Sequence, residues 1–365
     1  DRFKPLGAEG RDELLEVGMA DSLITRLSTV PGLVVRSIGS ARRFAGAEQD
    51  PLRAARELDV TWIVDGSLQR RGDQLRVTAR LLRATDGAAA WSGSFDEKFS
   101  DVFDMQDQIS SRVMQALTPT LQAGAAASMR STQLGGTRST DAYQRYLAAS
   151  RRAEGGRADS LDEAIAMFHQ ALAIDPGYSL AWVELAWAHR RRLWNADALP
   201  ADVFKHANAA LQHALALTPK LAQAQAGMGF SLYWYDFDWP GAERMFRNAM
   251  VANPNVALAH WGLAVLLMSQ GRVDEGFVHV RLARELDPMS PLFNTGEASF
   301  LQNIASNTVV DSLDTWFLNQ NPIKASFVDT VDQSAVEVYS TSYNANQFWW
   351  DFGDVIGYSS LENST

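Results

Sequence analysis

Ala164-Ile165-Ala166-Met167-Phe168-His169-Gln170-Ala171-Leu172-Ala173-Ile174-Asp175-Pro176 is the stretch on which the reading of this chain turns. Reduced to its pattern, it is a small residue, an apolar residue, an alanine and a proline. The pattern returns as Ala207–Leu211–Ala214–Pro219, as Ala242–Phe246–Ala249–Pro254 and as Gly276–Val280–Ala283–Pro288. Successive prolines stand 43, 35 and 34 residues apart. Steps of four and three put the first three residues on one face of a helix. The proline falls just past the helix end, where it blocks continuation. Each phrase therefore predicts the second helix of a pair. Trp182, Leu185 and Ala186 fit the first helix of one pair, Met228, Gly229 and Leu232 the next, and Leu263, Ala264 and Leu267 the third.

A period near 34 with this phrase is the signature of tetratricopeptide (TPR) repeats. The small residues let helices approach closely, and each pair leaves an apolar face that the next one covers. Repeats are expected over residues 141–301. Arg190 to Pro200 adds about nine residues to one pair, an edge loop that is either plain extra length or functional. In the usual TPR register, first-helix side chains face a concave groove. Here these are Trp187, Arg190, Arg191, Phe230, Tyr233, Trp234, Trp261 and Met268. Aromatics with arginine are what binding hot spots favour, so these eight are the candidate partner-binding residues. The competing reading is that Trp187, Phe230 and Trp261 fill the core between helices.

The 365 residues suggest more than one domain. An apolar content of 46% and a charged content of 21% are those of a soluble globular protein. With no cysteine, disulfides and thiolate metal sites are excluded. No apolar run approaches the roughly 18 residues that would span a bilayer. Residues 1–129 carry a net charge of −2 and residues 130–289 a net charge of 0. Residues 290–365 hold a single lysine, Lys324, against nine acids. That break in composition marks a boundary.

Ahead of the repeats the pattern is mixed. Glu13 to Leu27 has a helical apolar stripe. Leu33-Val34-Val35 reads as a short strand, and Asp50-Pro51 opens a helix with Asp50 as its cap. Val60 to Val64 reads as a buried strand, continued by Ser67 to Arg70. Leu75 to Leu82 alternates as a half-buried strand, Asp86-Gly87 signals a hairpin turn, and Ala90 to Phe95 returns. Val102 to Leu121 closes with a helix. Asp1-Arg2-Phe3-Lys4-Pro5-Leu6 reads as the end of a strand, which expects more chain upstream. The order β-α-β-α-β-β-β-α predicts an α/β sandwich on a mixed sheet, followed by an all-α superhelix of repeats.

Four runs carry a resemblance. They are Gly18-Met19-Ala20-Asp21-Ser22-Leu23-Ile24-Thr25-Arg26-Leu27-Ser28, Asp65-Gly66-Ser67-Leu68-Gln69-Arg70, Leu75-Arg76-Val77-Thr78 and Phe103-Asp104-Met105-Gln106-Asp107. Together they resemble the TolB-N-terminal-like (FlgO-like) domain. With the repeats, the match covers roughly residues 3–300. The resemblance implies a first strand clipped at Phe3. It also implies the plan of bacterial regulators in which this domain lies between an upstream winged-helix or adenylyl cyclase domain and TPR repeats, as in CadC-like regulators. The module would occupy residues 1–122 and a linker 123–140. Such a region is a non-enzymatic interaction and sensing part of a transcriptional or signalling regulator, in the cytoplasm or on the periplasmic side of a membrane-anchored one. An accessory region of a class III adenylyl cyclase and an envelope assembly scaffold are the alternatives. The expected partner is a protein or peptide in the repeat groove, and a homodimer is compatible with the plan.

The remaining motifs carry no chemistry. Leu134-Gly135-Gly136-Thr137 lacks the lysine and spacing of a phosphate loop. Trp91-Ser92-Gly93-Ser94 lacks the glycine pattern of a nucleophile elbow. His206 and His213 share a helix face with no carboxylate at a ligand spacing. Arg42-Arg43 and Arg70-Arg71 lie in near-neutral surroundings and read as solvated rather than nucleic-acid-binding. No catalytic residue, metal or cofactor is expected. The acidic residues 302–365 fit no family and read as a segment capping the last repeat, as a terminus without a separate role, or as a docking segment.

Overall fold

The computed structural model describes residues 12–30, 32–44, 50–120, 135–154, 156–195, 198–296 and 300. Helix α1, Glu13–Leu27, starts at Asp12, whose side chain accepts from the Leu15 amide. The polar run after Val35 forms a short helix that its sequence did not announce, α2 (Ile38–Arg42), capped by the Ser37 hydroxyl. Helix α3, Pro51–Glu57, begins as its sequence predicts, with the Asp50 carboxylate accepting from the Leu52 amide and proline in the first turn.

Strands β1 (Trp62–Arg71), β2 (Gln74–Arg83) and β3 (Ala89–Lys98) follow as a meander. Both pairings are antiparallel and the order is β1-β2-β3. Gly72 and Gly87 take positive φ in the two turns, at 60° and 71°, which suits glycine. Helix α4, Val102–Leu117, returns across the sheet. The sheet differs from the mixed one expected. Among the described residues it holds three antiparallel strands, and Leu33 to Val35 joins no ladder. That segment bonds elsewhere: the Val35 amide donates to Asn255 Oδ1 at 3.1 Å, and the Leu33 carbonyl accepts from Asn255 Nδ2 at 2.9 Å. The strand expected at residues 1–6 lies outside the described residues.

Register sorts the side chains by face. Leu68, Leu75, Val77, Ala79 and Leu81 join α1 and α4 in one core. Ile63 and Leu82, directly opposite each other, pack with Ala54, Ala55 and Leu58 on the other face. On that second face Asp65 also meets Arg80, and the Ser67 and Thr78 hydroxyls bond at 2.6 Å, each pair being cross-strand neighbours.

The four phrases lie on the second helices of four pairs. The pairs are α5 (Thr140–Ala153) with α6 (Ala158–Ile174), α7 (Ser179–Arg191) with α8 (Pro200–Leu217), α9 (Ala222–Trp234) with α10 (Trp239–Ala252), and α11 (Ala257–Ser269) with α12 (Val273–Leu286). Ala164, Phe168, Ala171 and their counterparts are all buried. The last amide of each second helix, at Asp175, Thr218, Asn253 and Asp287, donates to the carbonyl of the phrase's alanine at 2.8–3.0 Å. The proline that follows has no amide to satisfy. Phe246 shows why small residues recur on the first helices. A methyl group on Gly229 of α9 would stand 2.7 Å from its ring, and one on Gly262 of α11 would overlap it.

The module and the repeats share one core, which runs from Leu15 and Val77 through Tyr143 and Phe168 to Leu211 and Ala224. Gly18 of α1 lies against Tyr143 and Leu147 of α5. The short helix α2 touches both ends of the repeat array: Arg42 pairs with Glu154 at the end of α5, and the Ser40 hydroxyl donates to Asp287 after α12 at 2.6 Å. Between them, Asn253 Nδ2 donates to Ser28 Oγ and Asn255 Nδ2 to the Ser28 carbonyl. Residues 291–365 form a second unit, of which 291–296 and 300 are described and helical. The acidic residues 302–365, read as a cap, a plain terminus or a docking segment, lie outside the described residues. No helix among the described residues is long and apolar enough to cross a membrane.

Candidate partner-binding surface

The first helices of the repeats carry the eight candidate residues, and the structure divides them. Phe230, Trp261, Arg190 and Tyr233 are 1%, 2%, 4% and 7% exposed, which makes them core. Trp187, Arg191, Trp234 and Met268 are half-buried. The aromatics form a connected stack. Trp234 stacks on Phe230 with centroids 4.6 Å apart, and Trp187 meets the same ring edge-on at 5.8 Å. Phe230 in turn meets Phe246 edge-on at 5.1 Å. Trp187 and Trp234 therefore flank Phe230, and each keeps part of its surface in solvent. Met268 packs on Gly276 of α12.

Arg190 lies beneath this stack. Its Nη2 donates to the Gly227 carbonyl at 2.8 Å and to the Ser231 hydroxyl, and its guanidinium lies 5.0 Å from the Trp187 ring centre and 5.8 Å from that of Phe204. Burial pushes this guanidinium down to about 9. The side chain ties α7 to α9 and holds Trp187 in place, so its role is structural support of the aromatic surface.

A second exposed surface was missed in the sequence. Tyr235 and Phe237, in the turn between α9 and α10, and Trp239, the first residue of α10, are 40%, 60% and 37% exposed, and Leu199, before α8, is 70% exposed. Tyr235 stacks on Phe204 of α8 at 4.7 Å, which fixes the turn against the neighbouring pair. Phe237 holds a left-handed backbone with φ of 54°, a conformation that costs a residue bearing a Cβ. The signal was legible: Tyr235-Asp236-Phe237-Asp238-Trp239 alternates aromatics with aspartates in a turn, where polar residues are the rule.

Where α1 and α2 meet α5, polar side chains stand beside the apolar Leu14, Val17 and Leu147. Asp21, Arg42, Tyr146, Ser150 and Glu154 line a cavity of about 40 Å³. Burial, and then the charge of Glu184, push Asp21 up to about 6, with Arg42 opposing. Burial also raises Glu184, against Arg191 and Arg42. Both carboxylates keep part of their surface open. The module thus packs on α5, the first helix of the first repeat.

Five histidines each lie against another ring. His189 stacks on His206 at 5.1 Å, His213 stacks on Trp182 at 4.7 Å, and His260 Nδ1 lies 3.1 Å from His279 Nδ1. His206 and His213 are thus engaged with different partners. Among the described residues no group of three or more His, Asp or Glu could hold a metal ion.

No family model matches the chain. A curated protein of Rhizobium meliloti (strain 1021), named as an unproven adenylate cyclase, adenylate cyclase 3, is 30% identical over 169 residues. That stretch is 46% of this chain and 28% of the relative, so the chain spans under a third of the relative's length. Among solved structures, a thermophilic TPR protein of Thermus thermophilus is 18% identical, with a TM-score of 0.38, over 56% of this chain and 95% of that one. MamA is 18% identical, with a TM-score of 0.28, over 36% of this chain and 70% of that one.

Proposed function

We propose that this chain is the interaction and sensing region of a bacterial transcriptional or signalling regulator, and that it takes a protein or peptide partner on its repeats. The observation that carries this reading is the aromatic surface built across α7, α8 and α9. Trp187 and Trp234 flank a buried Phe230, and Tyr235, Phe237 and Trp239 extend the surface to the exposed turn. Rigid aromatics with arginine are the side chains that concentrate binding energy. Of the eight candidate residues, the half-buried Trp187, Arg191, Trp234 and Met268 would touch a partner, and Arg190, Phe230, Tyr233 and Trp261 would act by holding them.

The test is capture of partners from the source organism's lysate by the intact chain and by a W187A/W234A/F237D variant, each verified as folded by circular dichroism. Loss of a discrete partner from the variant supports the reading. An unchanged set of partners removes it.

The relative named as a cyclase favours a second reading, an accessory region that sets the output of a class III adenylyl cyclase. Cyclic AMP production by the native protein, measured with and without residues 12–290, separates the two. An output that ignores the deletion removes the second.

A further inference from the structure

Trp91-Ser92-Gly93-Ser94-Phe95, in the middle of β3, reads the same by residue type in both directions: aromatic, serine, glycine, serine, aromatic. Among the described residues β3 pairs along one side alone, with β2, and that register runs unbroken from Trp91 to Lys98. The register also fixes which way the peptide groups turn. The Phe99 amide donates to the Asp73 carbonyl at 2.7 Å, one step beyond the Gln74–Lys98 pair. Bonded and non-bonded pairs alternate in an antiparallel ladder. Trp91, Gly93, Phe95 and Glu97 therefore bond to β2, and the amides and carbonyls of Ser92, Ser94 and Asp96 turn to the outer edge.

A strand edge of this length is ordinarily guarded by charge or proline. Ala89 to Phe95 carry neither, and charge begins only at Asp96. Ser92 and Ser94 are exposed, while Trp91, Gly93 and Phe95 are half-buried. The two aromatic rings, with centroids 6.3 Å apart, close over the glycine between them. A methyl group on Gly93 would stand 2.7 Å from the Trp91 ring and 3.1 Å from that of Phe95. Both rings keep surface on the side away from α4.

We propose that β3 is a self-association edge, which pairs antiparallel with β3 of a second copy of this chain about a two-fold axis at Gly93. The palindrome carries the choice of occupant. A two-fold contact sets each residue against its mirror position. Gly93 then meets the second Gly93 as a non-bonded pair, with Cα atoms about 4.5 Å apart and no side chain between them. Ser92 meets Ser94 in two bonded pairs, which use the outward amides and carbonyls. Trp91 meets Phe95 of the second copy on both sides of the axis, at the close spacing where aromatic pairs stabilise a sheet. No charge meets its like, because Asp96 falls opposite Ala90 and Glu97 opposite Ala89. An axis at Ser94 would instead set Trp91 against Glu97 and Phe95 against Gly93. The contact is independent of the partner surface on α7 to α9, and two copies joined this way would carry two sets of repeats on one continuous sheet.

The measurement is sedimentation of the intact chain through a dilution series, beside two variants at the exposed serines. S92K/S94K sets lysine against lysine in both bonded pairs, and S92K/S94E sets lysine against glutamate. The unmodified chain is expected to be a dimer that dissociates on dilution. S92K/S94K should weaken that dimer about ten-fold, and S92K/S94E should restore it. Circular dichroism verifies each fold. In a mixed-isotope sample an NOE should join the Trp91 indole of one copy to the Phe95 ring of the other, and this NOE decides alone should a variant fail to fold. A chain that stays monomeric, a dimer indifferent to S92K/S94K, no recovery in a folded S92K/S94E, or no NOE between copies overturns the proposal.

Discussion

Gly18 of α1 lies so close to Leu147 of α5 that a methyl group added to it would stand 2.7 Å from Leu147 Cδ2. Gly18→Ala pits a helix-propensity gain of about 1 kcal/mol against overpacking of about 1–3 kcal/mol. The Tyr143 hydroxyl obstructs the same space, and both neighbours are core residues, so overpacking wins. The expected net loss is about 1–2 kcal/mol in urea unfolding. Gly39→Ala is the control. Its added methyl meets nothing nearer than 3.5 Å, so it should be neutral or stabilising.

Asn255 satisfies three backbone groups of the module, at Ser28, Leu33 and Val35. Asn255→Ala leaves two carbonyls and an amide without it in a half-buried site. A loss of about 2–3 kcal/mol is expected. Amide exchange at Val35 should quicken more than at Val77, which sits in the sheet core. Equal quickening at both would show a global effect instead.

Arg190 is buried, and its guanidinium bonds a carbonyl and a hydroxyl rather than a carboxylate. Arg190→Met keeps the aliphatic volume and removes a charge whose burial is costly, so thermal stability should hold or rise by about 1 kcal/mol. Arg190→Ala opens a cavity beneath Trp187 and should cost about 2 kcal/mol or more. A Met variant as unstable as the Ala variant would show that the guanidinium bonds dominate.

Acid acts on this fold with two signs. Burial holds His189 and His279 down to about 4 each, with His206 adding to the first and His260 to the second. Between about 6.5 and 4 the unfolded chain binds more protons at these rings, so stability falls as pH is lowered through that window. Asp21, held up at about 6 against 3.8 unfolded, binds its proton more readily in the folded chain. Its effect favours folding as pH falls from about 6 toward 3.8, and it is a burden at neutral pH. Asp21→Asn should raise stability at pH 7.5 by about 1 kcal/mol, a figure kept small because the carboxylate is partly hydrated. It should also steepen the loss between pH 7.5 and 5, since the opposing term is gone. Urea midpoints at the two pH values check both.

The repeats were legible because their phrase states a physical requirement at each position. Ala164 and Phe168 recur every pair because every pair makes the same close approach. Sequence could not say which aromatics stay open, since Phe230 and Trp234 share one helix face pattern and only the neighbouring Phe246 decides which is covered. The strand expected at Leu33 to Val35 has the right residues, but strand state depends on a partner ladder, and its amide and carbonyl went to Asn255, some 220 residues away. Helix α2 was hidden because its five residues carry no apolar period and are held by Glu154 and Asp287.

An array of helix pairs in contact only with its neighbours behaves as a spring, stretching and twisting by small increments at every joint. Arg42 and Ser40, two positions apart on α2, tie the first pair to the loop after the last. That crosspiece turns the spring into a braced frame. A load applied at one end is then carried across α2 as well as along the helices.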